Sequence, residues 1–184
     1  MPLPPTASAY EATRLELTFD VSHAEFTNAL EALVGPIDLD LLKSLATQSP
    51  QAARAKLSSF VGPLDFTLFQ KLDHGALLTA FTGQPVRATT YVFGNALIAV
   101  EMTKHDARVG LYVPLRLFVH QIGERRVSVT YDLPSATLAQ FASPAVDVVA
   151  RTLDGKVQRL LEETVKRAQA ASVASNISGS SNKR

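Results

Sequence analysis

Leu15, Leu17 and Phe19 alternate with Arg14, Glu16 and Thr18, which predicts a half-buried strand over Thr13 to Phe19. Apolar spacing then changes from two to between three and four. Phe26, Ala29, Leu30 and Leu33 form one stripe, Ser22 and Glu25 have the capping-box spacing at its start, and Gly35-Pro36 ends it. Residues Asp38 to Val61 predict two short helices. Asp38 caps the first, with Leu41, Leu42 and Leu45 inward; Ser49-Pro50 opens the second, with Ala53, Leu57 and Phe60 inward, and Gly62-Pro63 closes it. Strands are expected over Phe66 to Leu72 and Val86 to Phe93, joined by His74-Gly75-Ala76-Leu77-Leu78 and a turn at Gly83-Gln84-Pro85. A helix follows from about Asn95 to Asp106. Strands at Pro114 to Gln121 and Arg126 to Asp132 make a hairpin across Ile122 to Arg125. Last comes a long helix, capped by Ser143 and opened by Pro144, with Val146, Val149, Leu153, Val157, Leu160 and Leu161 on its inner face and Gly155 as a weak point.

This order predicts an α+β domain. A single twisted, largely antiparallel sheet carries helices mainly on one face, with the helical pair at 38–61 as an insert. The expected organisation is a disordered N-terminus over 1–9, one domain over 10–169, and a disordered Ser/Asn/Ala-rich tail over 170–184.

Composition narrows the function classes. Eighteen Lys and Arg against seventeen Asp and Glu leave a net charge of +1, without the basic field that a nucleic-acid partner needs. Cys is absent, which removes disulfides, thiolate catalysis and sulfur-ligated zinc. The start, Met1-Pro2-Leu3-Pro4-Pro5, has no signal-peptide pattern, and no apolar run is long enough to span a bilayer. The expectation is a cytoplasmic protein with no membrane partner. The four His show neither His-x-His nor His-Glu-x-x-His spacing, so no metal or cofactor is expected.

Three short motifs fall in order at joints between elements: Gly94-Asn95 after a strand, Leu111 to Pro114 before the hairpin, and Tyr131-Asp132-Leu133-Pro134 after it. With them the chain resembles the family called domain of unknown function 302, closely over Phe66 to Phe141 and more loosely over the first strand, first helix and last helix. It departs from that pattern at Ala96, where the family usually has Pro. Val113 replaces the Leu of a Leu-Pro pair, and Leu115 stands where many bacterial members have Cys. The helical insert is also longer than in compact members. The resemblance implies a compact α+β fold, often a homodimer, and no reaction.

Candidate chemistry gathers at the same joints. Ile98, Met102 and His105 share one helix face, which would turn His105 toward the core at a helix C-terminus, beside Asp106. The functional reading is a general acid/base; the plainer one is a buried His tying the helix to the sheet. His74 ends a strand where a loop opens and is a second catalytic candidate. Arg87 and Tyr91 share a strand face, with Arg116 expected nearby, and could hold a carboxylate or phosphate. Asn95 reads as a helix cap that could also face a ligand, and Tyr112 and Tyr131 are expected to line the same end. Arg116 and His120 lie on the less apolar face of their strand.

Three readings follow. The first is a small-molecule binding homodimer with a partly apolar pocket near His74, Asn95, His105 and Tyr131. The second is an enzyme using His105, with Asp106 or His74. The third is an interaction module acting through the sheet face of Arg116 and His120.

Overall fold

The computed structural model describes residues 4–36 and 39–181. The expected cap at Asp38 lies outside them. The elements run β1 (Arg14–Phe19), α1 (His23–Glu31), β2 (Gly35–Pro36), α2 (Leu39–Leu45), α3 (Pro50–Ser58), β3 (Thr67–Asp73), α4 (His74–Thr82), β4 (Ala88–Gly94), α5 (Ala96–Thr103), β5 (Leu115–Gly123), β6 (Arg126–Asp132), α6 (Pro134–Leu138) and α7 (Pro144–Ser181). Two short 3-10 turns, Ala107–Leu111 and Ala139–Phe141, interrupt the loops. Six strands form one sheet in the order β1-β6-β5-β4-β3-β2. Every pairing is antiparallel except that of β2 with β3.

One face of this sheet is the core face. Leu15, Leu17 and Phe19 of β1 oppose Tyr131, Val129 and Val127 of β6, while Leu117 and Val119 of β5 carry the face on to Tyr91 and Thr89 of β4. Helix α1 packs there through Phe26, Ala29 and Leu30, and α7 through Val146, Ala150, Leu153, Val157, Leu160, Leu161 and Ala168. The α+β architecture follows from that arrangement: two amphipathic helices have one apolar sheet face on which to bury their stripes.

The capping box forms as the sequence expects. Glu25 N donates to Ser22 Oγ at 3.2 Å, and Ser22 N donates to Glu25 Oε2 at 2.8 Å. Arg125, in the β5–β6 turn, reaches the same carboxylate at 3.3 Å. At the insert, Gly35 ends nothing helical; it forms the two-residue β2 beside Thr67. A Cβ on Gly35 would lie 2.0 Å from the Phe60 carbonyl oxygen, so the insert closes against a backbone that only Gly supplies.

Three elements differ from the sequence expectation. Residues 74–82 are helical, with Asp73 Oδ1 accepting from Ala76 N at 2.9 Å and Gly83 in the left-handed conformation at φ 68. Residues 134–138 form α6, which no apolar stripe announces. Helix α7 continues through Ser181, across residues 170–181 of the expected tail. No Pro follows Pro144 to stop it, and Ser172 is buried, accepting from Arg125 at 2.7 Å.

Removing the α1 cap gives the expected outcome for this layer. Ser22→Ala should lower stability by about 1 kcal/mol, roughly 2–4 °C in Tm, read by thermal unfolding.

Candidate functional site

An apolar cleft of about 280 Å³ opens between α5, Phe69 of β3 and the segment Val113–Leu115. Phe69, Ile98, Met102, Val113, Pro114 and Leu153 form most of its wall. Asn95 sets its shape. Its Oδ1 accepts from Leu97 N at 2.9 Å and Ile98 N at 3.2 Å, capping α5, while its Nδ2 donates to the Asp65 carbonyl at 2.9 Å. Asp65 holds a left-handed backbone at φ 66 and pairs with Lys156 of α7. A non-Gly residue there is uncommon, and it persists because both neighbours grip it. The Val113–Pro114 bond is cis, and a Cβ on Gly94 would come within 3.3 Å of Pro114 Cβ. So the Gly94-Asn95 and Val113-Pro114 motifs meet at one wall of this cleft. No titratable side chain lines it.

The structure separates the other candidates. Helix α5 ends at Thr103, and His105 lies in the exposed turn beyond it. The expectation that His105 faces the core is therefore corrected: the helix stops before the register carries it inward. Asp106 caps the following 3-10 turn, accepting from Arg108 N at 2.9 Å and Arg108 Nη2 at 2.6 Å. The Arg108 hydrogen bonds hold its carboxyl below the usual range.

His74 is α4's first residue and reaches the sheet face opposite the core. Its Nε2 lies 3.0 Å from Thr90 Oγ1 and its ring meets Phe118 edge-on at 6.1 Å. His120 stacks on the other side of Phe118 at 5.3 Å, with a buried Nδ1 that has no partner among the described residues. His74, Phe118 and His120 thus form a row that strand alternation alone does not reveal, because His74 is brought in by α4.

Arg87 and Tyr91 stand apart from Arg116. The register pairs Val92 with Arg116 and Tyr91 with Leu117, which puts Arg116 on the opposite face. Tyr91 is 1% exposed and donates to Glu31 Oε1 at 2.7 Å, where Lys71 also donates at 2.6 Å. Burial, then the Glu31 carboxylate, pushes its phenol far above the usual range. Arg87 is exposed and borders a hollow with Ser22, His23 and Gln121.

Tyr112 and Tyr131 also part. Tyr112 donates to Gln140 Oε1 at 3.2 Å and packs edge-on against Tyr10 and Phe141. Tyr131 lines a groove of about 530 Å³ between β1 and α7, and burial followed by Asp154 raises its phenol.

His23 drew no notice in the sequence, since it reads as the first residue of a capped helix. Its Nε2 is buried without a partner among the described residues. Desolvation, then Arg87 and Lys71, lower its pKa below 6.5. A His whose folded pKa is depressed stays neutral in the fold and takes a proton more readily when unfolded. Its stability cost is absent above pH 6.5 and grows as pH falls from there to the depressed folded value. His23→Gln should therefore flatten the fall in Tm below that pH and leave neutral-pH values nearly unchanged; an unaltered acid slope would discount His23.

Among the described residues, no helix is long and apolar enough to cross a membrane, and no group of three or more His, Asp and Glu is placed to hold a metal ion. No curated protein matches the chain in sequence. The fold is similar to that of an uncharacterised conserved protein of the DUF302 family from Bacillus stearothermophilus, with a TM-score of 0.56 at 12% identity, covering 82% of this chain and 97% of that one. The profile of the family described as domain of unknown function DUF302 matches residues 43–171, a wider span than the motifs alone suggest. The chain belongs to the DUF302 family.

Proposed function

We propose that the protein binds a small, largely apolar organic molecule in the cleft between α5 and Val113–Leu115, working as a cytoplasmic homodimer. The observation that carries the ligand reading is the wall itself. It is concave, close to the lower end of ordinary ligand-site volumes at about 280 Å³, and built from side chains with no proton to exchange. Asn95 spends its amide on α5 and Asp65, so it shapes the site more than it recognises a ligand. Recognition then rests on shape and on burial of apolar surface, at about 25 cal/mol per Å². This favours binding over acid–base chemistry, because His105 and His74 lie outside the cleft and a proton-transfer group must reach its substrate within hydrogen-bond distance.

Ala99 lines the cleft and is half-buried, so a larger side chain there fills the space with little strain on the sheet. Anilinonaphthalene sulfonate fluorescence, measured in a Phe81→Ser background to silence the exposed α4 surface, should report binding. Adding Ala99→Trp should weaken it by about tenfold or more, a loss of at least about 1.4 kcal/mol. His105→Ala should leave it unchanged. Equal binding with and without Ala99→Trp would sink the cleft as the site.

A further inference from the structure

Among the described residues, strand β1 is the sheet's outer edge, hydrogen-bonded only to β6. Leu133 N donates to the Thr13 carbonyl at 2.8 Å, which fixes the alternation: odd residues of β1 turn their backbone groups toward β6. The N–H and C=O groups of Arg14, Glu16 and Thr18 therefore point outward. Natural edges are usually blunted by shortness, charged side chains, Pro, bulges or inward charges, and β1 has only the second of these, in Arg14 and Glu16. The opposite edge is blunted in this way: among the described residues β2 is Gly35 and Pro36, and β3 beyond it carries a bulge between Leu68 and Gln70 and an exposed Lys71. β1 has six residues, no Pro, no Gly and no bulge, and its inward side chains are Leu15, Leu17 and Phe19.

Beside this edge lies the groove of about 530 Å³, with those three side chains and Tyr131 on its floor. Its helical wall carries Gly155, Gln158, Glu162 and Lys166 of α7. Gly in a helix interior costs about 1 kcal/mol relative to Ala. Nothing among the described residues requires it, since a Cβ at Gly155 would meet none of their atoms within 4 Å. The missing side chain keeps the groove wall low for something that comes from outside.

We infer that a second copy of this chain docks here, its β1 pairing antiparallel with this one about a two-fold axis at Leu17. The residues select that register. Outward-bonding positions must face each other, so the axis falls at Leu15, Glu16 or Leu17. An axis at Glu16 sets the two Glu16 side chains opposite each other, which is unfavourable. An axis at Leu15 leaves most of β1 unpaired. An axis at Leu17 opposes Leu15 with Phe19 and Leu17 with itself on the groove side. On the other side it opposes Arg14 with Asp20 and Glu16 with Thr18. Both faces are then self-complementary, as an isologous interface must be. Arg14 and Asp20 now pair with Asp132 and Arg126 at exposed sites, where ion pairs contribute little and exchange partners readily.

This inference rests on the homodimer part of the reading above and is independent of the cleft. Sedimentation of the full chain across a concentration series tests it. The unaltered protein should be a dimer. Arg14→Asp, which opposes Asp20, should weaken dimerisation by about tenfold, and Arg14→Asp combined with Asp20→Arg should restore it. Gly155→Leu should keep or raise the unfolding temperature, because Leu is the better helix former, and yet weaken the dimer by filling the groove. A protein that stays monomeric at all concentrations overturns both this surface and the homodimer. A dimer indifferent to Arg14→Asp and Gly155→Leu overturns this surface and leaves the homodimer standing.

Discussion

The architecture depends on one contact, the seam between α7 and the sheet's core face. Val146, Ala150, Leu153, Val157, Leu160, Leu161 and Ala168 are all 3% exposed or less, so the helix spends its whole apolar stripe on strands and helices far from it in sequence. Each buried side chain of this size contributes about 1.5–3 kcal/mol relative to exposure. The same helix also gathers the others: α1, α5 and α6 all pack on it. Even its distal part is tied down, where Ser172 meets Arg125 at the β5–β6 turn.

Two helices laid over a broad sheet leave its two flanks to other devices. On the β3 side, α5 and the Val113–Leu115 segment take up the space and enclose the apolar cleft. On the β1 side nothing among the described residues takes that role, and the groove remains. Both hollows thus have the same origin. They differ in chemistry because one is walled by a capped helix on a fixed loop and the other by an edge strand with unspent backbone groups.

Much of this was legible in the sequence. The alternation in β1, the capping box at Ser22 and the Pro-led α7 each combine a period with a punctuation residue, and both signals agree. Helix α4 has the punctuation without the period. Asp73 and Gly83 bound it, but Leu77, Leu78 and Phe81 are exposed, so no stripe marks an inner face. Missing α4 also hid the neighbourhood of His74, Phe118 and His120. The cleft was half legible. Gly94-Asn95 and Val113-Pro114 stood out as joints, but their meeting depends on Asp65, whose backbone conformation no spacing encodes. His105 differs for a local reason, since a helix that ends three residues early turns a core-facing position into a surface one.

The inequality of the two sheet edges has a consequence for how far assembly can go. A sheet with two open edges is a bifunctional monomer, and its growth is a polymerisation. Here the far edge is broken up: among the described residues β2 covers β3 only at Thr67 and Leu68, and the rest of β3 follows a bulge and carries exposed Gln70 and Lys71. Addition at the β1 edge would leave only that broken, charged edge exposed at each end, which disfavours further strand addition.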